Sequence, residues 1–192
     1  MRSRTVPAVR VSRHDRHFAL LGEARRAWLD PEKLKEKYFA LNRATAADAE
    51  LNEAYRVLSD PKLRLHHLLT LDGAELSASR QAPPSVAELF WNAATLLREV
   101  EQWLLRSAEA TSTLSRALLS SERTKLEGKL EKLEEQLNAL YETQLAQLRQ
   151  IDARSKLAAP NELPRLIQFY DSISYLTRLR DQVTEKRFRL QL

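Results

Sequence analysis

Leu126, Leu130, Leu133, Leu137 and Leu140 recur at 4-3-4-3 spacing, and the apolar pattern continues through Leu145, Leu148 and Ile151. Such spacing predicts a long helix with a coiled-coil-like seam that must be buried against other helices. Gly128 interrupts it as a surface blemish costing about 1 kcal/mol relative to alanine. The chain's glycine content points the same way, since three glycines in 192 residues compare with an average of about 7%. Hairpins, phosphate loops and strained catalytic turns draw on glycine for positive φ. Rossmann, P-loop and all-β folds are therefore disfavoured. There is no cysteine, which removes disulfides, thiolate catalysis and cysteine ligation of a cluster by this chain.

Prolines and aspartates divide the rest into helical segments. A short helix is expected from His17 to Leu21, stopped by Gly22. Asp30-Pro31 reads as N-cap plus first helical residue, opening a helix with Leu34, Tyr38 and Leu41 on one stripe. The next helix carries Leu51, Tyr55 and Leu58 and ends at Ser59-Asp60-Pro61. A further short one runs to Leu71 and stops at Asp72-Gly73. Past a linker, Ser85 can cap a helix with Val86, Leu89/Phe90, Ala93, Leu97, Val100 and Leu104 as its stripe. The seam helix is expected over about 111–154, and a last one from Asn161 to about Phe188 with Leu166, Phe169, Ile173, Leu176 and Val183 inward. Three long amphipathic helices should form an antiparallel bundle. The expected organisation is all-α: a basic tail over 1–13, a first helical module over 14–72, a linker over 73–84 and a three-helix bundle over 85–192.

Constellations that carry chemistry are missing from the pattern. His14 and His17 are spaced i, i+3 near Asp15, and read as a surface pair rather than a zinc site. His66 and His67 point about 100° apart on a helix and cannot share a metal. Glu131, Glu134 and Glu135 interleave with Lys125, Lys129 and Lys132 as a solvated face. No catalytic residue, metal ligand or cofactor is assigned, and the chain is not expected to be an enzyme. The net charge is +5, with Arg2, Arg4, Arg10, Arg13 and Arg16 crowded at the start; a solubilising tail accounts for these better than nucleic-acid binding. No segment approaches the about 20 apolar residues of a membrane span, and the first 30 residues lack the apolar run of a signal peptide. A cytoplasmic protein, monomeric or weakly dimeric, is the expectation.

Residues 17–71 contain HFALLG, LDPEKLKEKYFALNR and LNEAYRVLSDPKLRLHHLL, a succession that resembles the J domain of HscB-type co-chaperones. Asn52, Glu53, Ala54, Tyr55, Leu58, Asp60, Pro61, Arg64, Leu68 and Leu69 fit that family's third-helix pattern. Leu97-Arg98-Glu99 and the segment from Tyr175 to Arg180 are similar to stretches of its C-terminal bundle. The resemblance implies a J-like helical hairpin module followed by a bundle that binds an iron–sulfur scaffold protein and presents it to a DnaK-class chaperone.

One departure stands out. Where the family has His-Pro-Asp between its second and third helices, this chain has Ala46-Ala47-Asp48, in a shortened segment. ATAADAE can continue a helix, which would make residues 31–58 one element. A turn at Arg43–Thr45, with Thr45 and Asp48 as a capping box and a helix starting at Ala46, instead keeps Thr45 and Asp48 off the apolar stripe. The hairpin is the preferred reading. The resemblance makes Lys33, Lys35, Lys37, Arg43 and Asp48 the residues that would face a chaperone. It also makes Trp91, Leu96 and Glu99, on the first bundle helix, the residues that would face a scaffold or client. A non-catalytic co-chaperone or adaptor is the expected function, without ATPase stimulation. The alternative is a structural oligomerisation module using the Leu126–Ile151 seam.

Overall fold

Asp30 accepts hydrogen bonds on Oδ1 from the amides of Glu32 (3.1 Å) and Lys33 (3.3 Å), and Pro31 opens the helix behind it. This cap repeats at Asp60, which accepts from the Leu63 amide at 2.8 Å ahead of Pro61. The computed structural model describes residues 16–44, 48–74, 76, 87–154 and 162–191. The basic tail, most of the linker, and His14 and Asp15 of the expected histidine pair thus lie outside the described residues. Within them the chain is all-α, in the order α1 (Arg16–Leu20), α2 (Pro31–Ala44), α3 (Ala49–Ser59), α4 (Pro61–Leu71), α5 (Ala87–Glu109), α6 (Thr113–Arg154) and α7 (Glu162–Gln191). The chain divides into two compact units, Met1–Leu76 with Asp152–Leu166 and Ser77–Ile151 with Ile167–Leu192.

In the first unit α3 is central and packs on α1, α2 and α4. Phe18, Leu21, Leu34, Leu51, Leu58, Leu65 and Leu69 are buried there. Gly22 (φ 60°) and Gly73 (φ 73°) end α1 and α4 in the left-handed conformation. At each, the glycine amide bonds three residues back and the next amide five residues back, the Schellman arrangement that only glycine adopts without strain. Tyr38 of α2 stacks on Tyr55 of α3, with ring centroids 4.2 Å apart, and its hydroxyl donates to Asn52 Oδ1 at 2.7 Å.

Arg64, at 3% exposure, is the one buried cation among the described residues. Its guanidinium donates to the Ala27 carbonyl (2.9 Å) and to the Leu58 carbonyl (2.5 Å). Leu58 O is one of the terminal carbonyls of α3 that the helix itself leaves unbonded. Arg64 therefore ties α4 to the end of α3 and to the segment entering α2.

The second unit contains the bundle. Ala93, Leu96, Val100 and Trp103 of α5 meet Leu126, Leu130, Leu133 and Leu137 of α6, and Leu176, Leu179, Val183 and Leu190 of α7. Glu99 pairs with Lys129 and Arg106 with Glu122, so α6 runs antiparallel to α5. Arg187 bonds Glu134, and Arg180 sits 4.7 Å over the Tyr141 ring, so α7 runs antiparallel to α6. Lys186 and Arg189 both reach Glu101, which holds that carboxyl below its ordinary pKa, the Lys186 hydrogen bond being the main cause.

Several expectations change. Residues 31–58 contain two helices, α2 and α3, but α3 begins at Ala49 with Asp48 itself as the cap, later than the expected start at Ala46; Thr45 and Ala46 lie outside the described residues. Aspartate outranks threonine at this position. On α5, Leu96 and Trp103 are deeper than the expected Leu97 and Leu104, which pack at the edge. On α6, Gln144 (7% exposed) is buried, while Leu145 is half-buried, because the strict heptad from Leu130 and Leu137 reaches 144. The α7 helix extends to Gln191 and buries Leu190. The seam proposed for oligomerisation is occupied internally, since Leu126, Leu130, Leu133, Leu137 and Leu148 are all at 4% exposure or less.

Gly128 is half-buried rather than on an open face, yet a Cβ placed on it meets nothing within 4 Å. Gly128→Ala should therefore stabilise the bundle by about 0.5–1 kcal/mol, seen as a higher urea midpoint. A lower midpoint would mean that α6 is crowded there.

Candidate functional site

Two surfaces hold the residues singled out in the sequence. The first is α2 with the start of α3. Lys33, Lys35 and Arg43 are exposed on α2, and Arg43 Nε bonds back to the Phe39 carbonyl at 3.2 Å. Phe39, 49% exposed, lies one turn after Lys35 and one turn before Arg43, so a phenyl ring interrupts the basic face. Lys37 is engaged: its ammonium pairs with Glu23 Oε1 at 2.6 Å and donates to the Gly22 carbonyl at 3.3 Å. It fastens α2 to the turn after α1 and offers little to a partner. Asp48 is engaged as well. Its carboxylate accepts from the Glu50 amide at 2.8 Å and caps α3. Its presence here is thus accounted for by helix capping. Ala46 and Ala47 lie outside the described residues.

The second surface is a groove of about 330 Å³ between α5 and α6. From α5 come Asn92, Thr95, Leu96 and Glu99, and from α6 come Lys129, Lys132, Leu133 and Gln136. Helical spacing makes each set one stripe: 92, 95, 96 and 99 on α5, and 129, 132, 133 and 136 on α6. Leu96 and Leu133 are nearly buried and form the floor. Polar side chains form both rims, and Glu99 Oε2 crosses the groove to Lys129 Nζ at 2.8 Å.

Trp91 stands one turn before Thr95 and is 68% exposed. Its ring meets Phe90 edge-on at 5.8 Å, and Phe90 packs edge-on against Tyr175 of α7 at 5.5 Å. Trp103, by contrast, is a core residue: it is 7% exposed and its indole N–H donates to the Leu119 carbonyl at 3.0 Å. Of the three residues read as client-facing, Trp91 is thus open, Glu99 is paired at the groove rim, and Leu96 serves both the core and the groove floor. Sequence reasoning placed Lys129 and Lys132 on a solvated face and did not single out Gln136. The signal was present as the 4-3-4 spacing of Lys125, Lys129, Lys132 and Gln136, but it does not say which helix that stripe faces.

The histidines also rearrange. His17 of α1 meets His67 of α4, with ring centroids 4.7 Å apart, a contact no local spacing announces. Among the described residues no group of three or more histidines, aspartates or glutamates is placed to hold a metal ion, and no helix is long and apolar enough to cross a membrane.

The chain aligns in three dimensions with the chaperone HscB from Vibrio cholerae at a TM-score of 0.56, covering 91% of this chain and 98% of that one, at 20% identity. The fold is HscB-like. No protein-family model matches the chain, and no curated protein does. The likeness in fold covers most of the chain, as the sequence resemblance does, which is denser over residues 17–71 than over the bundle.

Proposed function

We propose that the chain is a non-catalytic HscB-like co-chaperone or adaptor, which holds a partner protein on the α5–α6 face and brings it to a DnaK-class chaperone. The observation that carries this reading is the similarity in fold over 98% of a chaperone's length, together with the resemblance of residues 17–71. The partner implied by the resemblance is an iron–sulfur scaffold protein. With no cysteine in the chain, any connection to cluster assembly runs through that partner. Lys33, Lys35 and Arg43 supply the basic surface for the chaperone, where charge complementarity speeds encounter. Trp91, Leu96 and Glu99 contribute to holding the client, Trp91 as an open aromatic anchor of the kind enriched at interface hot spots.

Stimulation of ATP hydrolysis is not expected. His-Pro-Asp is replaced by Ala46-Ala47-Asp48, and the Asp48 carboxylate is committed to capping α3. In single-turnover assays with a cognate DnaK-class chaperone, the rate should remain at background. Ala46→His with Ala47→Pro should not restore it, because just residues 45–48 join α2 to α3. Strong stimulation by the native chain would overturn this assignment. Affinity capture from the native cell tests the adaptor reading itself: a DnaK-class chaperone or an iron–sulfur scaffold should be recovered, and recovery of neither would sink it.

A further inference from the structure

The two stripes that face each other across the α5–α6 groove carry unequal charge. On α5 the groove stripe is Asn92, Thr95, Glu99 and on α6 Lys129, Lys132, Gln136; at helical spacing the same stripes continue past the groove's end to Gln102 and Arg106 on α5 and to Lys125 and Glu122 on α6. Both acids are already used: Glu99 pairs with Lys129 at 2.8 Å and Glu122 with Arg106 at 2.6 Å. Lys125 and Lys132 are exposed and have no carboxylate within ion-pair distance among the described residues. The groove therefore combines an apolar floor, Leu96 and Leu133, with one uncompensated cation in its wall, Lys132, and a second, Lys125, one turn before Lys129 on the same stripe just beyond its end. From this charge imbalance we infer that the groove takes an acidic amphipathic helix of a partner protein. This inference rests on the groove being the partner-holding face, and specifies what it holds.

The spacing defines the ligand further. Lys125 and Lys132 are two turns apart on α6, about 10 Å along its axis. A partner helix lying along the groove matches them with carboxylates seven residues apart. Its apolar residues three and four positions after the first acid would then reach the floor, the usual anchor pattern of a helix in a groove. Exposed cations along this stripe of α6 add attraction over a range of about 8–10 Å at ordinary salt. Binding should therefore be salt-sensitive. A basic segment would meet Lys125 and Lys132 as like charges. A nucleic-acid strand would satisfy the lysines but leave the leucine floor without apolar contact.

A phage-displayed library of helical peptides of about 16 residues, panned on the full chain, tests this directly. The expected selection carries Asp or Glu at seven-residue spacing with leucine-like residues between. Its affinity should fall about tenfold or more with Lys125→Glu/Lys132→Glu. Both lysines are surface residues, and an unchanged circular dichroism spectrum confirms that this variant folds. Thr95→Trp, which fills the groove, should abolish binding of the same peptides. Basic or neutral peptides that nonetheless need an open Thr95 would overturn the acidic assignment and leave the groove as the binding face. Acidic peptides indifferent to Thr95→Trp would overturn the groove itself. A single-stranded RNA oligonucleotide that binds through Lys125 and Lys132, with no peptide selected, would also overturn the proposal.

Discussion

Trp103→Ala should destabilise the bundle by about 4 kcal/mol. The range for removing a buried large aromatic is about 3–5 kcal/mol, and Trp103 combines a nearly buried ring with a hydrogen bond. The indole belongs to the buried cluster that also includes Val100 and Leu126. Its N–H ties α5 to the backbone of α6 at Leu119. Trp103→Phe separates the two contributions: it keeps most of the apolar volume and removes the donor, so it should cost about 1 kcal/mol. Urea unfolding followed by circular dichroism, with amide exchange at Val100 and Leu130 to locate the loss, measures both. A loss below about 1 kcal/mol in the alanine variant would show that Trp103 is not part of the core.

Arg64→Met should cost the first unit about 3 kcal/mol. The methionine keeps an unbranched apolar stem but takes away the donors that Arg64 holds on Ala27 O and Leu58 O. A buried acceptor deprived of its partner costs about 1–3 kcal/mol, and Met offers no replacement. Arg64→Lys should fall between, because an ammonium keeps the charge but lacks the guanidinium's fork. Amide exchange at Leu58 and Leu65 should report the loss, while the bundle's protection remains as in the native chain. Arg64→Met without measurable loss would mean that water or another group satisfies those carbonyls.

Arg64 also shows how legible the chain was. It belongs to the pattern that suggests an HscB-type J domain, so its position was marked, yet nothing in the spacing discloses that it is buried or that it holds Ala27, 37 residues earlier. Helix ends were easier. Asp30-Pro31, Asp60-Pro61, Gly22 and Gly73 act within about four residues of themselves, and each ends or starts a helix as read. Asp48 was recognised as part of a cap but assigned the wrong place in it, because two cap-forming residues three positions apart both satisfy the local rule. On α5, Leu96/Trp103 and Leu97/Leu104 are equally good helical stripes. A helix touching two neighbours buries both to different depths, and the period does not rank them.

The candidate site was half legible. Trp91, Leu96 and Glu99 lie on one helix and were found through the resemblance. Lys129 and Lys132 were seen as charge alternation on a solvated face, since i, i+4 spacing accounts for them equally well. Lys37 was grouped with the free lysines of α2 until Glu23 proved to hold it.

By itself the sequence determined that the chain is all-helical, where most helices start and stop, and that its leucine seam must be covered. Those outcomes depend on capping groups and apolar periodicity, which act over a few residues. Only the tertiary structure decided that α5 and α7 cover the seam, that Arg64 closes the first unit, and that Lys129 meets Glu99 across a groove with a leucine floor. Such pairings depend on the rotation and register of one helix against another, and residues 30 or more positions apart carry no local signal of either.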